Sequence, residues 1–176
     1  MTSRFPRFAI LACAMALAGC AAPNPLACPP AAVLADASYM VVMRPGAPAD
    51  LSGEAYSVQM TDATTECSLD RKRGETDSSL NLSFRAVRAP SADGASYSVP
   101  YFVAVTMTDR VVNKRLYMVR FSFAPGASTA IFNVSPDNIE IKLGNGRLPW
   151  HYQLTAGLQL TDAQIAYAKK MGRYAQ

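Results

Sequence analysis

Histidine occurs once in this sequence of 176 residues, and tryptophan once. A single His leaves little room for a His-rich metal site or a His-relayed nucleophile. Charged side chains make up 17% of the chain, with 17 Lys and Arg against 13 Asp and Glu, so no strong field points to nucleic acid. No Gly-x-Ser-x-Gly elbow, Cys-x-x-Cys pair, His-Glu-x-x-His or Asp-rich calcium loop is present. Long apolar runs are scarce as well. Only Phe8 to Leu17 is uninterrupted, and it falls short of the ~20 apolar residues that a spanning helix needs. The 50% apolar content excludes wholesale disorder, and the length suits one domain with a proper core. Nothing in the composition calls for a cofactor, a metal or a catalytic residue.

What is present begins with an address. Arg4 and Arg7 precede the apolar run, small residues follow at Ala18 and Gly19, and then comes Cys20. This is the layout of a secretory signal. The string Leu17-Ala18-Gly19-Cys20 resembles the lipobox of bacterial lipoproteins, which are cleaved before the cysteine and acylated on it. The resemblance implies a signal peptide over 1–19 and lipid on Cys20, with the membrane as a partner through that lipid. Ala21 stands where an Asp would favour inner-membrane retention, so the implied location is the outer membrane, facing the periplasm. Cleavage leaves 157 of the 176 residues and takes the formal charge from +4 to +2.

Cys13 leaves with the signal and Cys20 carries lipid, so Cys28 and Cys67 remain. In an oxidising envelope two cysteines read as one disulfide; the alternative is a pair of buried free thiols. A bridge would stabilise by ~2–4 kcal/mol. It would also shorten the tether, because Ala-Ala-Pro-Asn-Pro-Leu-Ala between Cys20 and Cys28 reaches roughly 28 Å when extended.

Beyond a tether over 20–37, in which 31–37 is expected to form a helical turn, the dominant pattern is period two. Expected strands cover 38–44 (Tyr39, Val41, Met43 on one face), 54–61 (Tyr56, Val58, Met60) and 66–70 (Cys67, Leu69). After the turn Arg71-Lys72-Arg73-Gly74-Glu75, Leu80, Leu82, Phe84 and Ala86 share a face. Residues 98–107 are apolar on both faces, as a central strand is, with Pro100 near its start or at a bulge. Strands over 115–123, 129–134, 138–143 and 152–160 complete eight or nine. The fold class is therefore all-β, an antiparallel immunoglobulin-like or fibronectin-like sandwich over 38–176, with a closed barrel as the alternative. One helix is specified, over about 162–172. Thr161 with Gln164 makes a capping box, and Leu160 with Ile165 has hydrophobic-staple spacing. Ile165, Ala168 and Gly172 are expected to dock it, leaving Lys169, Lys170 and Arg173 as a candidate interaction surface.

Other candidates have plainer readings. His151 beside Trp150 reads as a surface histidine next to a packed tryptophan. Gly144-Asn145-Gly146 lacks the helix and Lys-Ser/Thr pair of a phosphate loop and reads as a turn. Arg71-Lys72-Arg73 could touch anionic headgroups, but Glu66, Asp70, Glu75 and Asp77 around it favour a solvated hairpin tip.

Cys28-Pro29, Asp36-Ala37, Cys67, the run Pro100 to Val105 and Gly157-Leu158-Gln159-Leu160-Thr161 with Gln164 resemble a family of uncharacterised proteobacterial lipoproteins. The resemblance covers most of the mature chain. It implies the same address and paired cysteines and carries no functional residue. The leading expectation is a non-catalytic envelope lipoprotein that holds a sandwich at the outer membrane for another envelope protein. A binding module for a small ligand or cell-wall fragment is second, and a hydrolase using a carboxylate pair third.

Overall fold

Alternation along Leu80, Leu82, Phe84 and Ala86 builds the centre of one sheet: all four side chains are fully buried. The computed structural model describes residues 28–108, 110–144 and 146–173, so the signal peptide expected over 1–19 and the expected lipid site Cys20 lie outside the described residues. In chain order the strands are β1 (Ala31–Val33), β2 (Tyr39–Met43), β3 (Glu54–Asp70), β4 (Glu75–Arg88) and β5 (Ala95–Met107). They continue as β6 (Arg110–Phe123), β7 (Thr129–Val134), β8 (Ile139–Lys142) and β9 (Gln153–Leu158), and α1 (Asp162–Lys170) follows. One sheet has the order β1-β9-β5-β6; the other runs β2-β3-β4-β7, with β8 also pairing β4. Two separate sheets face one another, which makes the fold a sandwich and not a closed barrel. Every pair is antiparallel except β1 with β9.

The core lies between the two inner faces. Phe84 stacks on Phe132 at 5.1 Å and meets Tyr101 of the other sheet edge-on at 6.0 Å, while Phe121 stacks on Phe132 at 4.6 Å. The Phe84–Tyr101 and Phe121–Phe132 contacts cross the sandwich, and all three add to the ~1.5–3 kcal/mol that burying each large apolar side chain contributes. Tyr56, Val58, Met60, Val119, Phe121, Phe123, Tyr152, Leu154, Ala156 and Leu158 are buried in it, as their alternation requires.

Four local expectations are corrected. The strands expected over 54–61 and 66–70 are a single strand, β3, with a bulge between Met60 and Asp62. The extra residue shifts parity, so the inward set changes from even to odd numbers and imitates a strand end. Of residues 31–37 only Ala35–Ala37 form the expected helical turn, a 3-10 one, whereas Ala31–Val33 are β1, because β9 offers them a free edge. In β2 the core residue is Met40; Val41, on the opposite face, is buried as well, where α1 lies against the strand. Pro100 sits inside β5, neither at its start nor at its bulge. Its carbonyl accepts from the Gln159 amide beyond the end of β9, so the missing Pro N–H falls on the side where no strand demands it.

Candidate functional site

Cys28 and Cys67 are brought together by the parity-shifted half of β3. Their sulfurs are 2.02 Å apart and their Cα atoms 5.5 Å, the spacing of a disulfide. Folded chain therefore reaches back to Cys28, which corrects the tether over 20–37. Pro29 is fully buried, and the Pro30 carbonyl accepts from the Leu154 amide at 2.9 Å.

The segment between β8 and β9 crosses the same end of the sandwich. The Leu143 amide donates to the Gly74 carbonyl at 2.8 Å, and the Arg147 guanidinium touches Met107 Sδ. Gly146 has φ +72°, as the turn read from Gly144-Asn145-Gly146 requires, although Asn145 itself lies outside the described residues. His151 is exposed, and its Nδ1 accepts from the Leu148 amide at 3.0 Å, closing a 3-10 turn (Pro149–His151). Trp150 is 44% exposed, not packed, because that turn points it away from the core.

Beside this end, a cleft of about 280 Å³ gathers Asp70, Glu75, Asp77 and Glu140 around Arg73. Asp70 Oδ2 accepts from Arg73 Nε at 2.7 Å, and this hydrogen bond lowers the Asp70 pKa. That is the direction of a hairpin ion pair; a general acid would need its pKa raised. Among the described residues, no group of three or more His, Cys, Asp or Glu is placed to hold a metal ion.

At the opposite end lies α1. Thr161 Oγ1 accepts from the Gln164 amide at 3.3 Å and Gln164 Oε1 from the Thr161 amide at 2.9 Å, so the expected capping box is formed. The docking face is not Ile165, Ala168 and Gly172. Gln164 Nε2 donates to the Val41 carbonyl at 3.1 Å, and buried Tyr167 donates to Glu54 Oε1 at 2.6 Å. Ile165 is 38% exposed instead. Burial, followed by the Glu54 hydrogen bond, pushes the Tyr167 hydroxyl up to about 12. Arg173 is drawn in too, at 2.8 Å from Glu54 Oε1, with its guanidinium 5.9 Å from the centre of the Tyr39 ring. The candidate basic surface thus shrinks to Lys169 and Lys170, because Glu54 offers Arg173 a half-buried partner. Glu54 and Tyr167 were missed in the sequence. The spacing of Gln164, Tyr167 and Met171 was the available signal, hidden by the more apolar Ile165.

Leu160 and Ile165 do line one surface, a cleft of about 370 Å³ shared with Leu34, Phe102, Leu158 and Ala168 and edged by Lys114 and Lys169. Lys114 Nζ lies 4.1 Å from the Phe102 ring centre and donates to Gln159 Oε1 at 3.0 Å. Gly157 makes the floor possible: a Cβ there would stand 2.8 Å from the Ala37 Cβ and 2.9 Å from the Phe102 ring. A third surface is β6, an edge strand whose outward Leu116 and Met118 are more than half exposed.

Among the described residues no helix is long and apolar enough to cross a membrane. Compared with family models, curated proteins and solved structures, the chain matches none.

Proposed function

We propose that the chain is a non-catalytic envelope lipoprotein, acylated on Cys20 and held at the periplasmic face of the outer membrane, where its sandwich engages another envelope protein. The observation that carries this reading is the pairing of Cys28 with Cys67, eight positions after the lipobox cysteine. A disulfide pair agrees with an oxidising compartment, and so short a leader from lipid to folded domain agrees with a domain kept against the membrane. The partner reading draws support from β6, whose unpaired edge and exposed Leu116 and Met118 suit strand addition or apolar docking. Cys20→Ala should abolish metabolic lipid labelling and release the mature domain from membranes. A variant that still fractionates with outer membrane at high salt would show that lipid is not the anchor.

The cleft beside α1 favours a second reading, a binding module for a small amphiphilic ligand or cell-wall fragment. Its apolar floor with Lys114 and Lys169 at the rim has the composition of a ligand site. Saturable binding of such a ligand, lost on Ile165→Asp, would move this reading to first place.

A further inference from the structure

Four connections place residues far apart in sequence at one end of the sandwich. These are the Cys28–Cys67 pair, the Leu154–Pro30 and Leu143–Gly74 hydrogen bonds, and the contact of Arg147 with Met107. That end carries the β3–β4 tip with Arg71, Lys72 and Arg73, then Lys142 and Arg147, and then Arg110 at the start of β6. Exposed Trp150, Leu148, Val111 and Val112 lie among them. Asp70 and Glu75 pair with Arg73, at 2.7 and 3.6 Å, and Asp77 and Glu140 line the same cleft beside it. Among the described residues, Arg71, Lys72, Lys142 and Arg147 form no ion pair.

We propose that this end is a membrane-seating surface: basic side chains engage anionic phospholipid headgroups while Trp150 and Leu148 enter the interfacial layer. The proposal rests on the lipid-anchor reading of Cys20 and goes beyond it by assigning the orientation of the domain and the residues that hold it. Seven residues separate Cys20 from Cys28, a reach of at most roughly 28 Å, and the chain enters the domain at this very end. Any bilayer that holds the lipid therefore lies next to these residues and not next to α1. Headgroup charge complements the unpaired bases, each of which strengthens attachment roughly fivefold at the surface of an anionic leaflet. Tryptophan at the boundary suits its apolar ring and polar N–H. In the sequence, Arg71-Lys72-Arg73 read as a solvated tip because its neighbours are acidic. The fold adds Lys142, Arg147 and Trp150 from distant segments, with Glu140 the one carboxylate that β8 brings along.

Trp150 is the only tryptophan in the chain, so the intact protein reports on its own seating. The lipidated protein, reconstituted in vesicles of phosphatidylethanolamine with 30% phosphatidylglycerol, should show Trp150 emission shifted to shorter wavelength and quenched by brominated lipid. Vesicles of phosphatidylcholine alone, or high salt, should weaken both effects. Charge reversal at R71E/K72E/R147E should remove the quenching while the protein still floats with the vesicles and keeps its far-ultraviolet spectrum. The control K169E/K170E, an equal kind of charge change on α1, should leave the quenching unchanged. A protein that floats with Trp150 unquenched and open to acrylamide overturns the seating and leaves the anchor standing. A protein that does not float overturns the anchor, and the seating with it.

Discussion

Replacing both Cys28 and Cys67 by serine tests how the amino-terminal segment is held. The bridge closes a loop with a sequence separation of 39. The chain-entropy relation then assigns it about 4 kcal/mol at 25 °C through its restriction of the unfolded chain. For a domain of this size each kcal/mol moves Tm by ~2–4 °C, so the doubly substituted protein should melt roughly 8–15 °C lower. Structure outside the bridge sharpens the expectation. β1 has only three residues, paired with β9 alone, and the next anchor is the Leu34 amide on the Ala156 carbonyl at 2.8 Å. Loss of the bridge should therefore also speed exchange of the Leu34 and Leu154 amides well before the global transition. Calorimetry of oxidised wild type and the serine variant, with hydrogen exchange read at those two amides, makes the check. A Tm within ~2 °C of wild type would refute the loop-entropy reasoning. Faster exchange at β1 with that unchanged Tm would show that the segment frays on its own and does not constrain the fold.

The Gly157→Ala substitution should destabilise by about 1–3 kcal/mol in chemical denaturation, since its Cβ must displace the Phe102 ring and Ala37; an unchanged midpoint would show that this contact yields freely. Thr161→Ala should cost roughly 0.5–2 kcal/mol through loss of the helix cap, whereas charge reversal at Lys169 and Lys170 should leave thermal stability nearly unchanged. Tyr101, through burial and then Tyr117, and Tyr167, through burial and then Glu54, are both pushed up to about 12. Unfolded phenols titrate near ~10, so above that pH the unfolded chain binds fewer protons and stability should fall as pH rises toward 12. Tyr167→Phe should flatten part of that fall, and a wild-type denaturation midpoint that stays constant from about pH 9 to pH 11.5 would refute the assignment.

Period-two alternation is a local property, and it determined most of the sandwich before any contact was known. Leu80 to Ala86, Tyr117 to Phe123 and Tyr152 to Leu158 each point inward as the pleat requires, because a half-buried strand must segregate its two faces. The capping box at Thr161 was equally legible, since its hydrogen bonds join residues three apart. Where the reading ended too soon, one inserted residue was the cause. The bulge after Met60 reversed the inward parity of β3 and hid the continuity of a 17-residue strand.

What sequence could not supply are the contacts between segments that no periodicity links. Pairing of β1 with β9, capture of Arg173 by Glu54 across 119 positions and the rotation of α1 onto Tyr167 depend on which surfaces the two sheets bring within reach. The gathering of Arg71, Lys72, Lys142, Arg147 and Trp150 beside Cys28 is of the same kind. The capping box at Thr161 and the alternating strands are written in neighbouring residues, where steric and hydrophobic preferences act directly. The seating end and the docking face of the helix are set by sheet packing, which alone decides which distant side chains share a surface.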